Sequence, residues 1–531
     1  MGFLYAYALV FYALFVWRSI DLSSGKEAWG LRGLRRGWIL ERNDLSDAQW
    51  RNFRANLPAL TIVLGGFTVL SLILTHGLRF GGKGMSRYWL VVSTIFLAYM
   101  HECCIVFIVA IAAGNFALTK VIAGGRSFFP ILLWSYNLAF LILNRVYEGY
   151  SFTSLGYAFA RLDKHRGAMR WHISFNFVML RMVSFGLDYH WTRCCRPSAI
   201  NWEKHNATCS ECQTGNPCYL SRQEKVLPAN AYGLTAYFSY LFYAPLYIAG
   251  PVVSFNSFSS QASSFRPLSF DQAGAYGIRW LACLLLMELM THYFYYNAFA
   301  TSRVWPKLSP VQIFIVGYGV LNFMWLKFLL IWRFFRFWAL MSGVESPENM
   351  LRCVNNCYDL EGFWKSWHAS YNRWLVRYIY IPLGGSRWKL LNVWIIFTFV
   401  ALWHDLEWKL LSWAWMTCLL WLPEGLMKLS LRLKQVSCFY FPLFTEGCAI
   451  ASALNITGLM MANLIGFVVG PAGFKELISK LFVKQNAWLC LGIFFSFYVG
   501  AKVRIGTFFL PFLLFFMHCA AYVSSEGGRG L

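Results

Sequence analysis

Long apolar runs alternate with short polar connections along this chain. A helix needs about 20 mostly apolar residues to cross a bilayer. Runs of that kind begin at Gly2, Leu57, Tyr88, Phe128, Ile173, Ala231, Ile278 and Val311, and again near Leu390, Lys409, Cys448, Ala487 and Gly506. They predict roughly ten to thirteen membrane segments, re-entrant pieces included. Several runs are interrupted, as in 238–255, which holds Pro245, Gly250 and Pro251. Irregular backbone survives at membrane depth only where protein buries it or it lines a cavity. The pattern therefore predicts an all-α polytopic membrane protein, one membrane domain over residues 1–531 packed around a central cavity. Three polar stretches interrupt it. Residues 18–56 are charged and Trp-containing, and are expected at the interface as a partly amphipathic helix. Residues 193–228 read as a Cys-rich loop with turn residues. Residues 342–421 form the region expected to carry chemistry.

Composition supports the membrane reading. The chain is 58% hydrophobic and 13% charged, whereas soluble domains carry about 25% charge. Part of its aromatic content serves as interfacial anchors. A net charge of +23 would suggest nucleic acid in a soluble protein. Here basic residues that flank spans and contact anionic headgroups explain it, and no nucleic-acid partner is expected. The run from Gly2 has no basic residues before it and ends at Arg18, so it is read as a retained membrane segment rather than a signal peptide. Arg32, Arg35, Arg36, Arg42, Arg51 and Arg54 crowd the first large connection and favour its cytosolic placement.

The informative stretch runs from Asp359 to His404. It reads Trp364-Lys-Ser-Trp367-His368, then Asn372-Arg373-Trp, then Arg377-Tyr-Ile-Tyr-Ile-Pro382-Leu-Gly384-Gly385, and ends in Leu402-Trp403-His404. His368 and His404 are two of only ten histidines and lie 36 residues apart. Pro382 and the Gly384-Gly385 pair punctuate the path between them. A helix, a turn and a second helix would fold both rings toward one cavity. An ionisable group in a membrane segment is a functional candidate, and a neutral imidazole can take a proton from an attacking hydroxyl. On spacing alone, interfacial or structural histidines stay open as the alternative.

These motifs resemble the membrane-bound O-acyltransferase family, and within it the glycerol-uptake-protein subgroup related to hedgehog acyltransferase. Tyr240-Leu-Phe-Tyr-Ala-Pro245 with Gly250-Pro251, Asp188-Tyr-His190-Trp and Glu288-Leu-Met-Thr-His292 are similar to that subgroup as well. The resemblance implies transfer of an acyl chain from acyl-coenzyme A to an acceptor inside a membrane tunnel. It implies His404 as general base and His368 as the group that orients the acceptor or polarises the thioester. It further implies a lipid hydroxyl acceptor, a lyso-form of a glycosylphosphatidylinositol anchor, in the endoplasmic reticulum membrane. A protein acceptor and a glycerol–proton transporter are the rival readings.

Trp364, Trp367, Asn372, Arg373, Arg377, Arg333 and Arg336 are expected to bind substrate. The arginines would hold phosphates of coenzyme A or of a lipid headgroup, or else snorkel to the interface. His205, Cys209, Cys212 and Cys218 have ligand types that suit structural zinc. Disulfides stay open there if the loop is lumenal. Cys353 is open to palmitoylation or haem ligation, although an ordinary buried thiol is the simpler reading.

Overall fold

The computed structural model describes residues 2–124, 126–194, 200–262, 267–357, 359–433, 441–481 and 483–506. The expected segment from Gly506 and residues 195–199 of the Cys-rich stretch lie outside them. Among the described residues, eight helices are long and apolar enough to cross a membrane: Gly2–Ser24, Ala48–Gly77, Gly82–Ile122, Phe129–Val146, Phe270–Tyr293, Pro310–Met341, Glu446–Val469 and Lys484–Val503. Most carry large exposed apolar side chains on one face, among them Ile62, Val69, Ile95, Tyr99, Val121, Ile278 and Leu491. In water such a surface would aggregate; in a bilayer it is the lipid boundary.

Two helices form the centre. Pro310–Met341 starts at a capping box, with Ser309 and Gln312 satisfying each other's backbone N–H and Pro310 at the first helical position. Trp171–Arg193 is buried almost all round, including polar Asn176, Arg181, Asp188 and His190. A helix polar at several buried positions needs partners for each, and here they come from broken backbone. The run expected from Ala231 is too fragmented to span. It forms Leu234–Phe242 and Ala244–Tyr247, separated at Tyr243 with Pro245 in the first turn of the second, and is extended at Gly250-Pro251 before Phe255–Gln261. Arg181 Nη1 donates to the carbonyls of Tyr240 (3.2 Å) and Leu241 (2.6 Å), and its Nη2 to that of Leu246 (2.7 Å). Those carbonyls would otherwise be orphans at membrane depth.

Residues 18–56 depart from the amphipathic helix expected for them. The first helix continues to Ser24, and an antiparallel hairpin follows, Leu34–Arg36 paired with Arg42–Asp44. An isolated hairpin of this size is barely stable; tertiary contacts hold this one. The backbone N–H of Trp38 donates to His292 Nε2 (3.2 Å), and Trp38 Nε1 donates to Glu288 (2.8 Å). His292 Nε2 is thereby an acceptor, which leaves the proton on Nδ1, 2.6 Å from the Glu288 carbonyl oxygen. Arg54 closes the clasp with Nε 2.6 Å from Glu288 Oε1.

Glu288→Ala should cost about 1–3 kcal/mol, because it strands the Trp38 and Arg54 donors; half-exposed Arg54 keeps the figure below that of a fully buried pair. Thermal unfolding of the detergent-solubilised chain measures it.

Candidate active site

The path between the two histidines folds as the punctuation predicts. His368 occupies the turn between Leu360–Ser366 and Ala369–Leu375. The chain then winds through Val376–Tyr380 and turns at Gly384 and Gly385, both at positive φ (92° and 57°), where glycine carries no steric penalty. The Lys389–His404 helix follows and ends on His404. Both rings line one cavity of about 1020 Å³. Trp403 lies between them, its ring centroid 6.2 Å from that of His368 and 4.8 Å from that of His404. Trp332 stacks on His368 at 4.5 Å and 17°.

Trp364, Trp367 and Asn372 also line the cavity. Its far wall comes from lipid-facing helices, through Tyr7, Phe11, Met460 and Gly500. His368 Nε2 is buried with no partner among the described residues. An unpaired buried nitrogen is costly, so a bound polar group is the partner this wall of the cavity suits.

His368 holds φ 49° and ψ 45°, left-handed for a residue with a Cβ, at a cost of about 1–2 kcal/mol. Buried Asn349 supports the turn. Its carbonyl accepts from Ala369 N–H (2.9 Å) and its Oδ1 from Ser370 N–H (3.1 Å) and the Ser370 hydroxyl. Glu348 Oε1 in turn accepts from the backbone N–H of Asn349 (3.0 Å) and Met350 (3.3 Å). Glu348 pairs with Arg333 (3.2 Å) and Arg336 (3.7 Å). Burial by itself would raise the Glu348 carboxyl, but the two guanidiniums together with the backbone N–H groups of Met350 and Asn349 hold it below its ordinary range.

The arginines expected to bind substrate are engaged within the protein. Arg333 and Arg336 are not among the residues lining the cavity; their charges support the turn that bears His368. Arg377 pairs with Asp188 (3.2 Å) and with Glu224, and lies over the rings of Trp191 and Tyr378. Arg373 lies over Tyr219, also away from the cavity. Each of these guanidiniums faces a carboxylate or an aromatic ring. Cys353 is likewise outside the cavity lining, and burial pushes its thiol up to about 12.

Arg145 and Asn176, which no motif marks, bond the segment that carries the other ring. Arg145 Nη2 donates to the His404 carbonyl (2.8 Å), with Nη1 3.7 Å from Asp405. Asn176 exchanges two hydrogen bonds with Trp403, donating to its carbonyl and accepting from its indole N–H at 3.0 Å. Arg145, Asn176 and exposed Arg170 all line the cavity. Their signal was available, since Arg145 ends an apolar run and Asn176 interrupts one. The four candidate metal ligands gather elsewhere, outside the cavity lining, with donor atoms within 4.8 Å of one another.

Residues 134–467 match the model of the MBOAT, membrane-bound O-acyltransferase, family. The chain is 35% identical over 482 residues to the membrane-bound O-acyltransferase gup1 of Schizosaccharomyces pombe, covering 88% of this chain and 81% of that protein. It is 35% identical over 462 residues to the membrane-bound O-acyltransferase GUP1 of Saccharomyces cerevisiae, covering 85% and 80%. The protein-cysteine N-palmitoyltransferase HHAT of Mus musculus is 27% identical over 286 residues, covering 50% and 56%.

Because residue 368 is left-handed, His368→Gly should retain about 1 kcal/mol more stability than His368→Ala, although both remove the imidazole. Paired thermal melts check it. Glu348→Ala should cost about 3–5 kcal/mol, since it leaves two buried guanidiniums without their carboxylate; the same melts report it.

Proposed function

This chain belongs to the membrane-bound O-acyltransferase family, and from that premise we propose that it moves a fatty acyl chain from acyl-coenzyme A to a lipid hydroxyl. The proposed acceptor is a lyso-form of a glycosylphosphatidylinositol anchor, in the endoplasmic reticulum membrane. One observation carries the reading: two imidazoles line a single cavity whose opposite wall consists of lipid-facing helices. That cavity lies at the upper end of the volumes typical of ligand pockets, with room for a donor chain and an acceptor side by side.

In this reading His404 is the general base. It takes the proton of the acceptor hydroxyl as that oxygen attacks the thioester carbonyl carbon. A C–O bond forms, the C–S bond breaks, and the coenzyme A sulfur leaves and accepts a proton. His368, through Nε2, hydrogen-bonds the acceptor or the thioester oxygen. The aromatic lining excludes water, which would otherwise hydrolyse the thioester. Positioning of the two substrates lowers the barrier without a covalent enzyme intermediate. Arg145 lines the cavity beside His404, and exposed Arg170 lines it too; in this reading Arg170 meets the phosphates of coenzyme A.

His404→Ala should reduce transfer of a labelled acyl chain by about 10²–10⁴-fold, the range for loss of a general base, in a chain that still folds. Undiminished transfer would remove the base. The label should extract with lipid; hydroxylamine-stable label on a polypeptide would instead favour a protein acceptor, the chemistry named for the mouse relative. Arg170→Glu should raise the KM for acyl-coenzyme A several-fold with little change in kcat, measured by steady-state kinetics in detergent.

A further inference from the structure

We propose that His205, Cys209, Cys212 and Cys218 form a structural zinc site that fixes the Tyr219–Glu224 helix against the segment bearing His368. The inference goes beyond the acyl-transfer reading and does not rest on it.

The sequence supplies the ligands and the local fold aims them. Asn201 caps the Trp202–Thr208 helix, its side chain accepting from Lys204 N–H at 3.0 Å. On that helix His205 stands four residues before Cys209, so both share a face. The Ser210–Gln213 turn brings Cys212 round, and Gly215 at φ 79° reverses the chain. Cys218 then caps the Tyr219–Glu224 helix. The four donor atoms lie within 4.8 Å of one another. His205 Nε2 is 3.5 Å from Cys212 Sγ and 3.3 Å from Cys218 Sγ. Zn–S bonds of about 2.3 Å and Zn–N bonds of about 2.0–2.1 Å in a tetrahedron give N···S edges of about 3.5 Å.

Three further observations favour metal over disulfide. Cys209, Cys212 and Cys218 form no disulfide among the described residues. Three cysteines cannot pair among themselves without a remainder, whereas a fourth ligand from imidazole completes a tetrahedron. The backbone N–H of Ser221 points at Cys218 Sγ from 3.3 Å, the kind of supporting hydrogen bond that steadies a metal-bound thiolate. Thiolate and imidazole donors select zinc over magnesium or calcium. Four protein ligands leave no open position, so the site is structural.

What it fixes is a helix of six residues, too short to persist by its own hydrogen bonds. That helix makes contacts well beyond its size. Glu224 pairs with Arg377. Arg222 lies 2.8 Å from Glu345. The Tyr219 hydroxyl accepts from Ser254 N–H at 3.3 Å, and its ring lies beneath Arg373. Arg373 and Arg377 follow His368 on the same stretch of chain, so the metal holds the outer side of the histidine-bearing segment.

The test is metal analysis of the full-length chain purified in detergent without added zinc. About one zinc per chain is expected, released when a mercurial blocks the thiols. Cys209→Ser with Cys212→Ser should lower it to background and reduce the melting temperature. Cys194→Ser should keep the metal, and so should His205→Cys, which swaps the imidazole for a fourth thiolate. Should the double variant fail to fold, the wild-type stoichiometry and His205→Cys decide. Wild-type protein purified without zinc, a Cys209–Cys212 disulfide recovered by peptide mass spectrometry, or full zinc retained by the double variant would overturn the assignment.

Discussion

The absence of water at membrane depth governs this structure. A polar group buried there is costly unless it finds a partner within the protein or in a bound substrate. Arg181 meets this demand for the Pro-broken stretch around residue 245, donating to three carbonyls that a continuous helix would have satisfied itself. Glu348 meets it for two guanidiniums, and in doing so orders Asn349 and the left-handed turn at His368. Polar residues that would be liabilities in lipid thereby become the framework that positions the two histidines.

The site consequently has two kinds of residue. His368, His404, Trp364, Trp367 and Asn372 face the cavity. Arg333, Arg336 and Arg377 stand behind it and shape it. A rigid outer shell matters because a reacting hydroxyl, a thioester and a base must come within bonding reach at once, and small misplacements are costly. The clasp of Trp38, Glu288, His292 and Arg54 secures the amino-terminal hairpin in the same manner, farther from the chemistry.

Much of this was legible in the sequence, for physical reasons. Apolar run length reports membrane crossing directly, so most long spans fall where hydropathy put them. Pro245, Gly250 and Pro251 announced irregular backbone, and the glycine pair at 384–385 announced the turn between the histidines. The two histidines, 36 residues apart, were expected to face one cavity, and both line it. The arginine roles were not legible. Arg377 finds Asp188 some 190 residues away, and no local pattern encodes such a pairing. The 34–44 hairpin escaped for a related reason: its strands are three residues long and charged, and they persist only through contacts with the Phe270–Tyr293 helix and the residues after it.

The central claim is that an acyl donor and its acceptor meet between His368 and His404 inside the bundle. An electron-density map of the full-length chain in a lipid nanodisc with a non-hydrolysable acyl-coenzyme A analogue tests this most directly. The account predicts the analogue's sulfur beside the two imidazoles, its chain running toward Tyr7 and Phe11 and its phosphates near Arg145 and Arg170. An analogue lodged on the outer surface, or in any chamber that neither imidazole touches, would contradict it.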